Sequence, residues 1–159
     1  MVRLAYKIKN MDKRTAHNFT WAPIFIIGIV SSLLGGAWCI QEEPWLLDQS
    51  QNKALPQTSF NKLFSVEINN RLPLYLITMY RVLGLCLLTI GLLIMNYIYV
   101  TRMGTKMARN SIFLILITTL LGVYYLFFNY LFSTPLILVL HFLSFCLILS
   151  VFFSRYLSD

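Results

Sequence analysis

Four long apolar stretches, at 21–40, 73–100, 111–132 and 135–153, take up more than half of this chain. Each is near or above the ~18 to 20 residues that one helix needs to cross ~30 Å of hydrocarbon. Backbone N–H and C=O groups in lipid find no water, so a single stretch of this length satisfies them only by coiling into a helix. The pattern predicts an all-α, polytopic membrane protein: four transmembrane helices in an antiparallel bundle. Composition agrees. The 159 residues are 58% hydrophobic and 12% charged, with mean hydropathy +0.69. Such a chain is not a water-soluble enzyme core, a large domain outside the membrane, or a disordered protein.

The net charge of +7 invites a nucleic-acid reading, and its distribution argues against one. Nine of the thirteen basic residues lie in three places that alternate with the apolar stretches. They are Arg3, Lys7, Lys9, Lys13 and Arg14 before the first, Arg102, Lys106 and Arg109 between the second and third, and Arg155 after the fourth. This is the positive-inside pattern. It places a basic segment 1–20 and a short tail 156–159 in the cytoplasm, with a membrane domain 21–155 between them and a loop 41–72 outside. A bacterial inner membrane is the expected home. The basic residues are expected to orient the protein and to touch anionic headgroups, each worth about 1 kcal/mol near the surface. Nucleic acid is not expected as a partner, because no basic surface is interleaved with aromatics. The first stretch is read as a retained span and not a cleaved signal, because Trp38 stands where cleavage wants a small side chain.

Small residues predict the packing. Gly28, Ser32 and Gly36 recur every four residues in the first span, and Gly84 and Gly91 share a face of the second. Such stripes let helices approach closely. Pro23 is expected in a first helical turn, where a missing N–H costs nothing. In the long loop, Pro44 to Leu47 read as an interfacial turn with Trp45 at headgroup level. Phe60, Leu63, Phe64, Ile68 and Leu72 fall at helical spacing, which predicts a short amphipathic helix capped by Thr58 or Ser59. Thr134 and Pro135 predict a tight turn between spans three and four.

Two ionisable residues lie inside apolar stretches, Arg81 and His141, and such groups are costly in lipid unless they face a cavity or partner. The bland readings are an interfacial arginine, snorkelling or paired with Glu42 or Glu43, and a buried histidine that donates to a backbone carbonyl or to a tyrosine. The functional reading joins them. Glu42, Glu43, Arg81, His141 and the tyrosines Tyr75, Tyr80, Tyr124, Tyr125 and Tyr130 all map to the outer half, and a polar patch with aromatic walls is what a small-molecule pocket in a bundle needs. In that pocket Arg81 is expected to point inward beside Gly84. No catalytic set is expected. His17 and His141 lie at opposite depths, which disfavours a haem held between them, and no His, Cys or carboxylate cluster has metal-ligand spacing. Any cofactor is unknown. Cys39, Cys86 and Cys146 define no disulfide framework.

The stretch from Trp38 through Trp45, Leu46, Leu47 and Asp48, with Tyr80, Arg81, Val82, Leu83, Gly84, Leu85 and then Gly91, Leu92, Leu93, resembles the small DoxX-like membrane proteins. The resemblance implies a four-helix bundle and a link to quinone or thiol oxidation complexes. Sequence alone therefore supports an integral membrane protein, leaning non-catalytic, that holds a lipid, a quinone or a partner helix in an outer-half pocket. A membrane-protein partner or a second copy of the chain would supply that helix. A quinone-linked oxidoreductase component is the alternative, and a small transporter or channel the third.

Overall fold

The structure is a computed structural model and describes residues 12–48, 60–130 and 136–157. All its regular elements are helical. In chain order they are α1 (Lys13–Ile40), a 3-10 turn (Pro44–Asp48), the short α2 (Phe60–Phe64), a second 3-10 turn (Glu67–Asn69), α3 (Leu72–Thr101), α4 (Lys106–Tyr130) and α5 (Leu136–Ser154). Four of these, α1, α3, α4 and α5, are long and apolar enough to span a membrane, which points to an integral membrane protein. The expected Thr58 or Ser59 cap and the Thr134–Pro135 turn lie outside the described residues.

Helix α1 is the hub. It packs along α3 and also against α5, while α4 packs on α5. The seam between α1 and α3 is made by absent side chains. A Cβ added to Gly35 would stand 2.5 Å from the carbonyl oxygen of Gly84, and one added to Gly91 would stand 2.6 Å from that of Gly28. Real Cβ atoms do not come so close, so two pairs of glycines set the backbone separation. Gly28 meets Gly91 and Gly35 meets Gly84, so the two helices run in opposite directions along the seam. Both pairs are seven residues apart, the spacing that keeps one face turned toward a partner with only about 20° of drift.

Gly36, expected in this stripe, has open space beside it, and Gly35 takes its place. The reason is angular. Eight residues from Gly28 to Gly36 rotate about 80° past whole turns, whereas seven to Gly35 fall about 20° short, at 100° per residue.

The described core cluster lies toward the end that carries Lys13, Arg14, Arg102, Lys106, Arg109 and Arg155, here termed the basic end. Ile24 and Ile27 of α1, Ile94 and Ile98 of α3, Ile112, Phe113 and Leu116 of α4, and Cys146 and Leu147 of α5 bury one another there, with Met103 of the α3–α4 turn. At its edge, Ser150 of α5 donates a hydrogen bond to the carbonyl of Thr20, and both residues are fully buried. Phe19 stacks on Phe153 at 4.9 Å just below. Pro23 lies in the interior of α1, not in its first turn, because the helix begins two turns earlier than the apolar stretch. Its missing N–H leaves the carbonyl of Phe19 without the usual helical donor. Such interruptions are tolerated where neighbouring helices and hydroxyls satisfy the backbone, as Ser150 does one residue along.

The turn from α3 to α4 is conformationally costly. Arg102 and Met103 both adopt positive φ, 51° and 50°. Non-glycine residues in that region cost on the order of 1 kcal/mol or more each. Several bonds hold them there. Thr101 Oγ1 accepts from the Met103 N–H at 3.2 Å, Tyr97 donates its hydroxyl to the Ala108 carbonyl at 2.8 Å, and Thr105 Oγ1 caps α4 by accepting from the Ala108 N–H at 3.2 Å.

At the other end, the loop end, Trp45 is covered by protein. It is 3% exposed and packs against Phe60 and Phe64, ring centroids 5.9 and 5.5 Å away. The aromatic pair of α2 folds over the indole and takes it out of solvent. The amphipathic helix also stops short. Ser65 Oγ donates to the Lys62 carbonyl and Asn69 Nδ2 to the Leu63 carbonyl, at 2.9 and 3.0 Å. Side chains that bond the last carbonyls of a helix compete with its continuation. Ile68 falls out of register and is 88% exposed.

Candidate functional site

The residues expected to form one outer-half patch occupy separate places. Arg81 is exposed on α3. It does not point into the seam, because the Gly84 face is already filled by the backbone of α1 at Gly35. No ion pair joins it to Glu42 or Glu43, which are exposed just beyond α1. Its backbone carbonyl accepts a long contact from Cys39 Sγ at 3.7 Å. Tyr80 meets the edge of Trp38 at 5.9 Å, across the α1–α3 seam. Tyr75 and Tyr125 are mostly exposed, at 59% and 64%. The side chain of Tyr130 lies outside the described residues.

His141 and Tyr124 do come together, on the α4–α5 pair. Their rings meet edge to face at 5.7 Å, and Tyr124 also stacks on Phe128. Ser144 lies 2.8 Å from the Leu140 carbonyl and 3.1 Å from the Tyr124 hydroxyl. A serine has one proton, and a carbonyl only accepts. Ser144 therefore donates to Leu140, and Tyr124 donates to Ser144. The same logic sets the histidine. Nδ1 is 2.6 Å from the Ile137 carbonyl, which only accepts, so Nδ1 is the donor in this bond and Nε2 is left for another partner. His141 is exposed among exposed Leu138, Phe142 and Phe145. The backbone bond matches the bland expectation for this residue; its exposure does not. Arg81 shares no contact with this group among the described residues.

A cleft of about 550 Å³ opens at the basic end, lined by Lys106, Arg109, Asn110 and Phe113 of α4 and by Val151, Ser154, Arg155 and Leu157 at the end of α5. Among the described residues three cations line it and no carboxylate does. Arg109 is 3% exposed, and its Nη1 donates to the carbonyls of Met103 and Gly104 at 3.4 and 3.1 Å. Those bonds hold the positive-φ turn and at the same time fix the guanidinium in the cleft wall. By sequence, Arg109 is one of the basic residues of the positive-inside pattern. A signal was available: Arg109, Ile112, Phe113 and Leu116 stand at i, i+3, i+4 and i+7, so the arginine shares the face that is buried. It is easily missed because α4 is apolar nearly all round, and its faces are not marked by polarity.

Among the described residues no group of three His, Cys, Asp or Glu side chains is placed to hold a metal ion. Compared with protein family models, curated proteins and solved structures, the chain matches none, and the DoxX-like resemblance finds no counterpart there.

Proposed function

We propose that this chain is a non-catalytic subunit of a membrane assembly, its four long helices forming an antiparallel bundle in the bilayer, and that a helix of a second membrane protein docks on the α4–α5 face. One observation carries the reading: His141 is exposed on an otherwise apolar face beside the Tyr124–Ser144 pair, bonded to the Ile137 carbonyl through Nδ1 and with no hydrogen bond at Nε2 among the described residues. A polar group facing hydrocarbon is expensive, and a donor from a neighbouring helix offsets that cost. Interhelical bonds of this kind contribute about 1 kcal/mol. Apolar packing around His141 would supply the rest. A partner helix suits this geometry better than an enclosed small ligand, because the polar atoms lie on an outer face and Arg81 is elsewhere.

The test is native mass spectrometry of the protein extracted gently from its own membrane, as wild type and as His141→Phe. The expected result is a second membrane protein retained by the wild type and lost from the variant, with helix content unchanged by circular dichroism. A retained quinone-sized molecule and no protein would replace this reading with a ligand-binding one. A visible absorption band in the purified protein would favour a redox subunit instead.

A further inference from the structure

The cleft at the basic end lies apart from the His141 face. We infer that it is a binding site for the phosphate of an anionic phospholipid. The inference rests on the four long helices spanning a bilayer, and it does not depend on the docking of a partner helix.

Charge and level argue for a phosphate. Lys106, Arg109 and Arg155 converge on one opening, with Asn110 and Ser154 as neutral hydrogen-bonding groups and no acidic side chain among the described lining residues. Lys106 is the first residue of α4, and Arg155 directly follows the last residue of α5. The opening thus sits where two apolar helices end, which is the level of headgroup phosphates. Basic pockets between spanning helices at this level are a recognised setting for anionic headgroups. The start of α4 adds the positive end of a 25-residue helix dipole. Arg109 is already held by two backbone carbonyls, so little ordering remains when an anion arrives.

The apolar lining argues for a lipid rather than free phosphate. Phe113 and Val151 stand about one turn deeper than Arg109 and Arg155 on the same two helices, and Leu157 closes the rim. The site therefore grades from cationic at its mouth to apolar toward the membrane, as a phospholipid grades from phosphate to acyl chain. A free phosphate would use only the first half.

The experiment reconstitutes the full chain in nanodiscs of equal phosphatidylglycerol and phosphatidylcholine, then counts retained lipids by native mass spectrometry after release into detergent. Wild type is expected to keep one phosphatidylglycerol per chain. The double variant Lys106→Gln/Arg155→Gln is expected to lose about tenfold or more in retention, two headgroup cations being removed. Arg14→Gln/Arg102→Gln removes the same charge from exposed positions outside the cleft and should stay within about twofold of wild type. Should the first double variant fold poorly, Asn110→Asp places a carboxylate in the cleft wall while leaving every cation in place, and the same loss is expected. Millimolar inorganic phosphate should not displace the lipid. Equal losses in both double variants would reduce the effect to general surface charge and overturn the inference. So would undiminished retention in the cleft variants, and so would displacement by inorganic phosphate, which would make this a free-phosphate site.

Discussion

The seam between α1 and α3 and the contact between α4 and α5 join helices in opposite ways. Along the first, glycines bring backbones together at two points, and the only thing needed from each residue is that it lack a side chain. In the second, Tyr124, Ser144 and His141 join the helices through a hydroxyl bond and an edge-to-face ring contact, while toward the basic end both helices also give apolar side chains to the core. The first kind of interface is steric and unforgiving, since any added atom meets a carbonyl. The second is polar and adaptable, since a lost bond can be made elsewhere or left to a partner. A chain with both has a rigid half and a half suited to engaging something else.

This contrast can be broken most severely at Gly35. A leucine there would drive its Cβ into Gly84 and Leu88 backbone, so Gly35→Leu should cost about 3 kcal/mol or separate the helices outright. Reversible unfolding in mixed micelles would measure it. The α1–α5 junction should be intermediate. Ser150→Ala removes the buried donor to the Thr20 carbonyl, and a loss of about 1 kcal/mol is expected in the same assay. Tyr124→Phe removes only the hydroxyl bond to Ser144, and about 0.5 kcal/mol is expected, as for typical bonds between spanning helices. A larger effect there than at Ser150 would show that the α4–α5 pair is not the adaptable one. Smallest of all, Gly36→Leu meets open space and should leave stability within about 0.5 kcal/mol. If Gly36→Leu proved as damaging as Gly35→Leu, the seam would run through the wrong stripe.

The neighbouring glycines Gly35 and Gly36 also show how far the fold is legible beforehand. Gly28, Gly84 and Gly91 could be picked out as close-packing positions, and each meets the opposite helix. Gly36 could not be told from Gly35 by a repeat of four, because the rotation that separates them emerges only when a particular partner helix is laid against α1. The site was less legible. His141 and Tyr124 do share a contact, but Arg81, Glu42 and Glu43 have only their expected depth in common with them, and depth along a helix says nothing of the direction in which a side chain points. Arg109 was hidden for the complementary reason: its charge suggested water, while its place in the helical repeat buries it at 3% exposure.

Sequence by itself determined the secondary structure and its scale. Apolar runs of this length have one economical way to satisfy their backbone, and where they begin and end follows from where charge resumes. Only the tertiary structure decided the faces: which glycine lies in the seam, that Trp45 is covered by α2, that Arg109 braces a positive-φ turn and lines a cationic cleft, and that Arg81 and His141 stand apart. Local hydrogen bonding makes a helix from its own residues, but facing is a property of pairs of helices. In segments apolar nearly all round, no polarity difference announces it in advance.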